Sequence, residues 1–305
     1  MEYRVVAEGL EFPEGPVALA DGSVVLVEIA AGALTRIAPG GGKSAVARPG
    51  GGPNGAAIGP DGKCYVANNG GFEWIRDAGR LRPFLQAKDY AGGRIERIDL
   101  HTGATEILYR ACGEVPLKGP NDLVFDAHGG FYFTDLGKVR SRDMDRGAVY
   151  YAKADGSFIT EIAYPVMTPN GIGLSPDGNT LYVAETEAAR LWAFQLEAPG
   201  VVKKEPWPSP HGGRIIVGVG GYQRFDSLAV QADGRICVAT LINGGITVIS
   251  PDGRHVEHRP MPDPMTTNIC FGGADLKTAY ITLSWTGRLV AVDWPTAGLK
   301  LHQRG

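Results

Sequence analysis

The chain is poor in cysteine, in helical signal and in blocks of charge. Four cysteines occur in 305 residues, at Cys64, Cys112, Cys237 and Cys270. They form no CxxC pair, and three lie in apolar runs. Buried free thiols in a reducing cytoplasm are therefore expected, not a disulfide framework or a zinc site. No stretch approaches the roughly 18 apolar residues of a membrane helix. The opening MEYRVVAEGLEFPEGP has neither a basic start nor a long apolar core, so no signal peptide is expected. Lysine plus arginine number 30 against 33 acids, for a net charge of −3. With no long run of either sign, nucleic acid and membrane surfaces are excluded as partners. No window shows a capped 3.6-residue apolar period, so very little helix is expected. The motifs GxSxG, HExxH and GxxxxGKS are absent as well, which removes three common catalytic schemes. No amphipathic seam is visible, leaving a monomer or a homodimer.

Glycine is what the chain has in excess. Its 44 glycines and 21 prolines make up about a fifth of the residues, against a usual level of roughly 12%. No Gly-X-Y period runs through them, and 44% of the residues are hydrophobic against 21% charged. Collagen and disorder are thereby excluded. Short strands joined by tight turns remain. A repeat explains the turns: a polar residue, an apolar run, an Asp-Gly type turn, and a second apolar run. It begins at Glu14 (EGPVALADGSVVLVE), Asn54, Asn121, Asn170, Asp226 and Asn268, at spacings of 40, 67, 49, 56 and 42 residues. The shorter spacings suit one four-stranded propeller blade. A second hairpin follows in each unit, as in GRIERIDL-HTG-ATEILYR. Six such units predict an all-β, six-bladed propeller of four-stranded antiparallel blades around a central channel, one domain over residues 1–305. Either the strand Tyr3–Glu8 or the tail near Leu299–His302 would complete the last blade.

In a propeller the innermost strand of each blade starts at one channel mouth. The first residues of the repeats, Glu14, Asn54, Asn121, Asn170, Asp226 and Asn268, would therefore form a ring of oxygen donors. Asn and carboxylate oxygens are hard ligands suited to Ca²⁺, Mg²⁺ or Mn²⁺. Asn and Asp also favour turns, but Glu14 is a poor turn former. Residues at the end of each second strand return to the same face: Glu28, Asn68, Asn69, Asp135, Glu185, Thr186, Thr240 and Ser284. They are expected to form a second polar shell.

The triplets EGP at 14–16, PND at 120–122 with FYFTD at 131–135, PNG at 169–171 with LYVAET at 181–186, and FDS at 225–227 occur in order at blade spacing. On these the chain resembles the senescence marker protein/gluconolactonase/luciferin-regenerating enzyme family over nearly its whole length. The same constellation is similar to that of calcium-dependent phosphotriesterase-type propellers. The resemblance implies one divalent cation, calcium ahead of zinc, manganese or magnesium, held by Glu14, Asn170 and Asp226. Asn121 is then a fourth ligand or a substrate contact, while Asn54 and Asn268 contact substrate or water. Animal members carry an Arg two residues before the third-blade Asn. Gly119 stands there in this chain, which departs from the aldonolactone-binding pattern.

The implied activity is hydrolysis of a small lactone, the cation polarising the carbonyl and activating water. Asp226 is the expected general base, with Glu14 mainly ligating. The alternatives are hydrolysis of a phosphotriester or other ester, and a non-catalytic calcium- or ligand-binding propeller. Insertions near 70–93, 138–147, 206–224 and 259–267 are expected to roof the channel and set specificity. With Asn69, Trp74, Glu185, Arg224 and Trp285 as substrate contacts, they suggest a substrate with an apolar part. Of the six histidines only His211, in an insertion, is a site candidate.

Overall fold

A computed structural model describes residues 2–301, among which there are 29 strands and no helix. From the axis outward, blade 1 is Pro13–Ala18, Val24–Glu28, Ala33–Ile37 and Lys43–Ala47. Blade 2 is Pro53–Ile58, Cys64–Asn68, Arg94–Ile98 and Thr105–Tyr109. Blade 3 is Pro120–Phe125, Gly130–Asp135, Gly147–Lys153 and Ile159–Val166. Blade 4 starts with Pro169–Leu174, Thr180–Glu185 and Arg190–Ala198, and blade 5 is Arg224–Val230, Ile236–Leu241, Gly245–Ile249 and Val256–Pro260. Blade 6 is Thr266–Gly272, Thr278–Leu283 and Arg288–Asp293, and its outer strand is Arg4–Ala7 from the other end of the chain. Each innermost strand packs beside the next, and the sixth returns to the first. The expected six-bladed ring is thus present, and the N-terminal strand closes it. The far end does something else: Gly298 bridges to Gln231, and Leu299 N donates to Val230 O at 2.8 Å. His302 lies outside the described residues.

The second strands read as unbroken apolar runs because both their faces are buried. Val25 and Val27 face blade 2, whereas Val24 and Leu26 face blade 6. The alternation repeats around the ring, so six apolar clusters each join two neighbouring blades. In this way successive side chains on opposite strand faces serve two cores at once.

The insertions depart in part from the expected roof. Residues 70–93 hold a separate hairpin, Phe72–Asp77 with Arg80–Gln86. Residues 138–147 form a loop with a bridge between Val139 and Met144. Part of 206–224 belongs to the wall: Arg214–Gly218 pairs with the third strand of blade 4, sharing that edge with Val201–Lys203. His211 lies beside it, buried on Trp192 and Phe194 at ring-centroid distances of 4.5 and 5.3 Å. Its side chain fills the outer layer of blade 4, and burial lowers its pKa to about 4. In 259–267, Met261 is buried in the core between blades 5 and 6. These segments were legible as insertions, but an extra edge strand satisfies its own backbone in the sheet instead of covering the channel.

Candidate active site

All six inner strands share a local irregularity where they begin. The ladder to the second strand shifts register between Glu14 and Val17, Pro53 and Gly55, Pro120 and Leu123, Pro169 and Ile172, Phe225 and Leu228, and Thr266 and Asn268. A bulge turns a side chain out of the alternation that the rest of the strand obeys. Repeated at six starts, it gives Glu14, Asn54, Asn121, Asn170, Asp226 and Asn268 equivalent places, with exposures between 3% for Glu14 and 9% for Asp226. The small residues that follow are explained by the same geometry. A Cβ on Gly15 would lie 2.7 Å from Asn54 O and Ala56 N, and one on Gly171 would lie 2.6 Å from Asp226 O and Leu228 N. Backbone of one inner strand thus abuts backbone of its neighbour, where only glycine fits.

The ring is held by few hydrogen bonds. Asn268 Nδ2 donates to Glu14 Oε2 at 2.7 Å, and Gly15 N donates to the same oxygen at 2.8 Å. Asn170 Nδ2 donates to Thr186 Oγ1 at 3.1 Å, leaving Oδ1 with a long 3.4 Å contact from Ser227 Oγ. Asn121 Oδ1 is buried without any partner. A third acid joins Glu14 and Asp226. Asp122, which follows the ring Asn in PND, lines the channel and accepts a hydrogen bond from Leu123 N at 2.9 Å. Residue-type reasoning passed over Asp122 because it belongs to the next position of the strand. The signal was there, since the other repeats put Gly, Ser or Ile at that place. The inner strands enclose a largely apolar cavity of about 130 Å³, with Val17, Val124, Leu174, Val230 and Phe271 in its wall beside Asp122 and Asn268.

Electrostatics set this cluster apart. Burial raises Glu14 from 4.5 to about 7, against the hydrogen bonds from Asn268 and Gly15. Burial and then the charge of Glu14 raise Asp122 from 3.8 to about 7. Asp226 is pushed well above 3.8 by burial first, then by Glu14, with Asn170 opposing and Asp122 adding. No basic side chain is among the groups that offset these three acids. Three buried carboxylates without a counter-charge are costly, and a bound cation removes the cost. Among the described residues no three His, Cys, Asp or Glu side chains converge at ligand spacing. A cation here would therefore need amide oxygens as well, and the unpartnered Asn121 Oδ1 and weakly engaged Asn170 Oδ1 are suitable hard donors. The donor set fits a divalent cation.

The residues at the ends of the second strands brace the loops that enter each blade. Glu28 accepts from Glu11 N at 2.8 Å, and Asn68 accepts from Gly52 N at 2.9 Å. Asp135 accepts from Lys118 N and Gly119 N, both at 2.7 Å. Glu185 accepts from Met167 N at 3.0 Å and lies 3.9 Å from Arg190. Each clamps the backbone just ahead of a ring residue. Of the other expected substrate contacts, Arg224 pairs with Glu187 at 3.0 Å. Asn69 accepts from Gly71 N at 2.7 Å, and its buried Nδ2 has no partner. Trp74 and Trp285 are joined through the hairpin 72–86. Trp74 packs on Phe12 at 5.2 Å, the Arg80 guanidinium lies 4.4 Å over Trp285, and Leu81 N donates to Trp285 O at 3.2 Å. The hairpin is rooted by Lys138, whose buried ammonium donates to Asn69 O at 2.9 Å and Gly71 O at 2.7 Å and faces the Phe72 and Tyr90 rings. Sequence reasoning missed Lys138, because nothing in DLGKVRS marks a lysine that will be fully enclosed.

A propeller whose six inner strands deliver carboxylate and amide oxygens to one channel mouth is the class that fold and site define. Within it, the chain belongs to the SMP-30/gluconolactonase/LRE-like family, whose model matches residues 12–284. It is 33% identical over 142 residues to lactonase drp35 of Staphylococcus haemolyticus, covering 47% of this chain and 42% of that one. To lactonase drp35 of Staphylococcus aureus it is 35% identical over 133 residues, or 44% and 39% of the two chains. The match thus spans about two fifths of those relatives' length. The fold is similar to that of a gluconolactonase from Xanthomonas campestris, with a TM-score of 0.74, 22% identity, and 95% and 89% of the chains covered. It is also similar to the calcium-binding protein regucalcin from Agrobacterium tumefaciens, with a TM-score of 0.77, 20% identity, and coverage of 99% and 97%.

Proposed function

We propose that this protein is a divalent-cation-dependent hydrolase that opens a small lactone to its hydroxy acid. The observation that carries this reading is the cluster of Glu14, Asp122 and Asp226, buried together without a basic partner, with the unpartnered amide oxygen of Asn121 and the weakly engaged one of Asn170 in the same ring. The lactonase relatives support the substrate class. Glu14, Asn170, Asp226 and Asn121 would hold the cation, calcium first among the candidates. When bound, the cation supplies Lewis acidity to the carbonyl and makes a nearby water more acidic.

The chain's own residues do the rest. Asp226 takes a proton from the attacking water as general base. The water oxygen bonds to the carbonyl carbon, the ring C–O bond breaks, and the proton passes from Asp226 to the departing alkoxide. Glu14, fixed by Asn268 and Gly15, keeps its ligating geometry while this happens. The hairpin 72–86 excludes water from one side of the mouth and offers apolar surface to the substrate. The four free cysteines are consistent with a reducing compartment.

The test is a panel of aldonolactones and aliphatic lactones assayed after EDTA treatment, with and without Ca²⁺, Zn²⁺, Mn²⁺ or Mg²⁺. Turnover restored by a divalent ion, and lost together with ion binding in Asp226→Ala, is expected. Ion binding without turnover of any lactone would assign the protein to ester hydrolysis or to ligand binding instead. Full activity of EDTA-treated Asp226→Ala would remove Asp226 from the mechanism.

A further inference from the structure

Phe12 lies two residues before Glu14 and immediately before Pro13. Its φ is 59°, in the left-handed region. That conformation is disfavoured for a bulky side chain, and the α-like basins are further disfavoured ahead of proline. Such strain persists only when the surroundings over-determine it. Blade 4 contains an internal control. Thr168 has φ 45° and stands in the same relation to Pro169 and Asn170. There the blade itself holds the strained residue: Thr168 O accepts from Thr186 N at 3.0 Å, and its hydroxyl accepts from Glu187 N at 2.9 Å. Phe12 has the equivalent carbonyl contact, from Ile29 N at 3.1 Å, but no hydroxyl to add a second. In its place stands the hairpin. The Trp74 ring lies 5.2 Å from the Phe12 ring and is braced by Phe72 at 5.9 Å. The neighbouring Arg76 reaches Glu11 at 3.1 Å, an exposed pair of little strength by itself.

We propose that Trp74 is a positioning residue. By pressing on Phe12 it keeps the strained approach to Glu14 and so sets the Glu14 carboxylate in the channel mouth. The hairpin is then a part of the ring as well as a cover for it. Once the Trp74 contact is lost, Phe12 relaxes toward extended backbone, and Pro13 and Glu14 move with it. This inference rests on the reading of Glu14 as a cation ligand.

The experiment is calorimetric titration of CaCl₂ into the full-length, EDTA-stripped chain, with hydrogen exchange at residues 11–16 and 167–171. Trp74→Ala is expected to weaken calcium binding by about tenfold, the scale of released backbone strain. It should also speed exchange at 11–16 while leaving 167–171 unchanged. Trp74→Phe, which keeps an aromatic contact, should restore both. Glycine adopts the Phe12 conformation without strain, so Trp74→Ala should cost nothing further in a Phe12→Gly background. Thermal melts in EDTA confirm that each variant is folded. Wild-type affinity and wild-type exchange at 11–16 in Trp74→Ala would overturn the inference, as would additive effects in the double variant. If the wild-type chain binds no calcium, the cation reading fails instead, and the exchange comparison alone decides whether Trp74 holds Phe12.

Discussion

Three acids buried in one channel tie this protein's stability to pH, and under the proposed reading to a bound cation as well. Glu14 and Asp122 ordinarily ionise near 4.5 and 3.8, and burial lifts both to about 7. A raised carboxyl pKa means that the folded chain holds the proton more tightly than the unfolded chain does. In EDTA the fold is therefore favoured below the unfolded values and loses that advantage as pH rises toward about 7. Melting temperatures measured across this window should fall with pH in EDTA, and saturating calcium should reverse the fall. Insensitivity to calcium at neutral pH would contradict the cation reading. Glu14→Gln should abolish the response to calcium while raising the neutral-pH melting point of the stripped protein, since it removes a buried charge and keeps a hydrogen-bonding group. The ring was legible residue by residue, because an oxygen-bearing side chain recurs at one place in six repeats. Asp122 was not, because a residue one position along a strand usually faces elsewhere, and the register shift between Pro120 and Leu123 breaks that alternation.

At the scale of elements, the site depends on how strand starts and loops are pinned. Gly171→Ala would set a Cβ against Asp226 O and Leu228 N. Overpacking of this kind costs about 1–3 kcal/mol, and here the displaced backbone also carries a ring carboxylate. Both melting temperature and calcium affinity should drop. A variant with unchanged affinity would show that blades 4 and 5 can separate without disturbing Asp226. Lys138→Met keeps the length of the apolar stem but leaves Asn69 O without its donor and Gly71 O with only the long 3.3 Å bond from Ala87 N. Unpaired buried groups cost about 1–3 kcal/mol each, a loss that should loosen the root of the hairpin. The expected result is faster hydrogen exchange over 70–93 and a raised KM for an apolar lactone, with kcat less affected. The insertion at 70–93 was legible from the long spacing between repeats, but its folding into a hairpin was not. Nor was its route over blade 1 to Trp285, because ring-to-ring contacts across 62 positions, such as Phe12 with Trp74, leave no local pattern.

The whole molecule is a ring closed by one short strand. Arg4–Ala7 supplies the outer edge of blade 6, pairing with Arg288–Asp293. Val6 and Ala7 belong to the core between blades 6 and 1. Deleting residues 2–8 should expose the edge of Arg288–Asp293, lower the melting temperature and promote association through that edge, as seen by size-exclusion chromatography. A monomer of unchanged stability would show that closure rests on the six inter-blade cores alone.

By itself the sequence determined the repeat. Apolar runs with both faces buried, Asp-Gly turns and a polar start at each unit are local patterns, and together they admit a six-bladed ring and little else. It also singled out Glu14, Asn54, Asn121, Asn170, Asp226 and Asn268 as equivalent inner-strand starts, though not Asp122, because equivalent positions in a closed ring must converge. Only the tertiary structure decided which end closes the ring, that the acids ending the second strands clamp backbone, and that His211 sits in the wall. It alone revealed the enclosed lysine and the strained phenylalanine beneath the hairpin. Those features depend on contacts between segments distant in the chain. Repeat period and residue type report what a strand must bury, but not which distant neighbour will cover it.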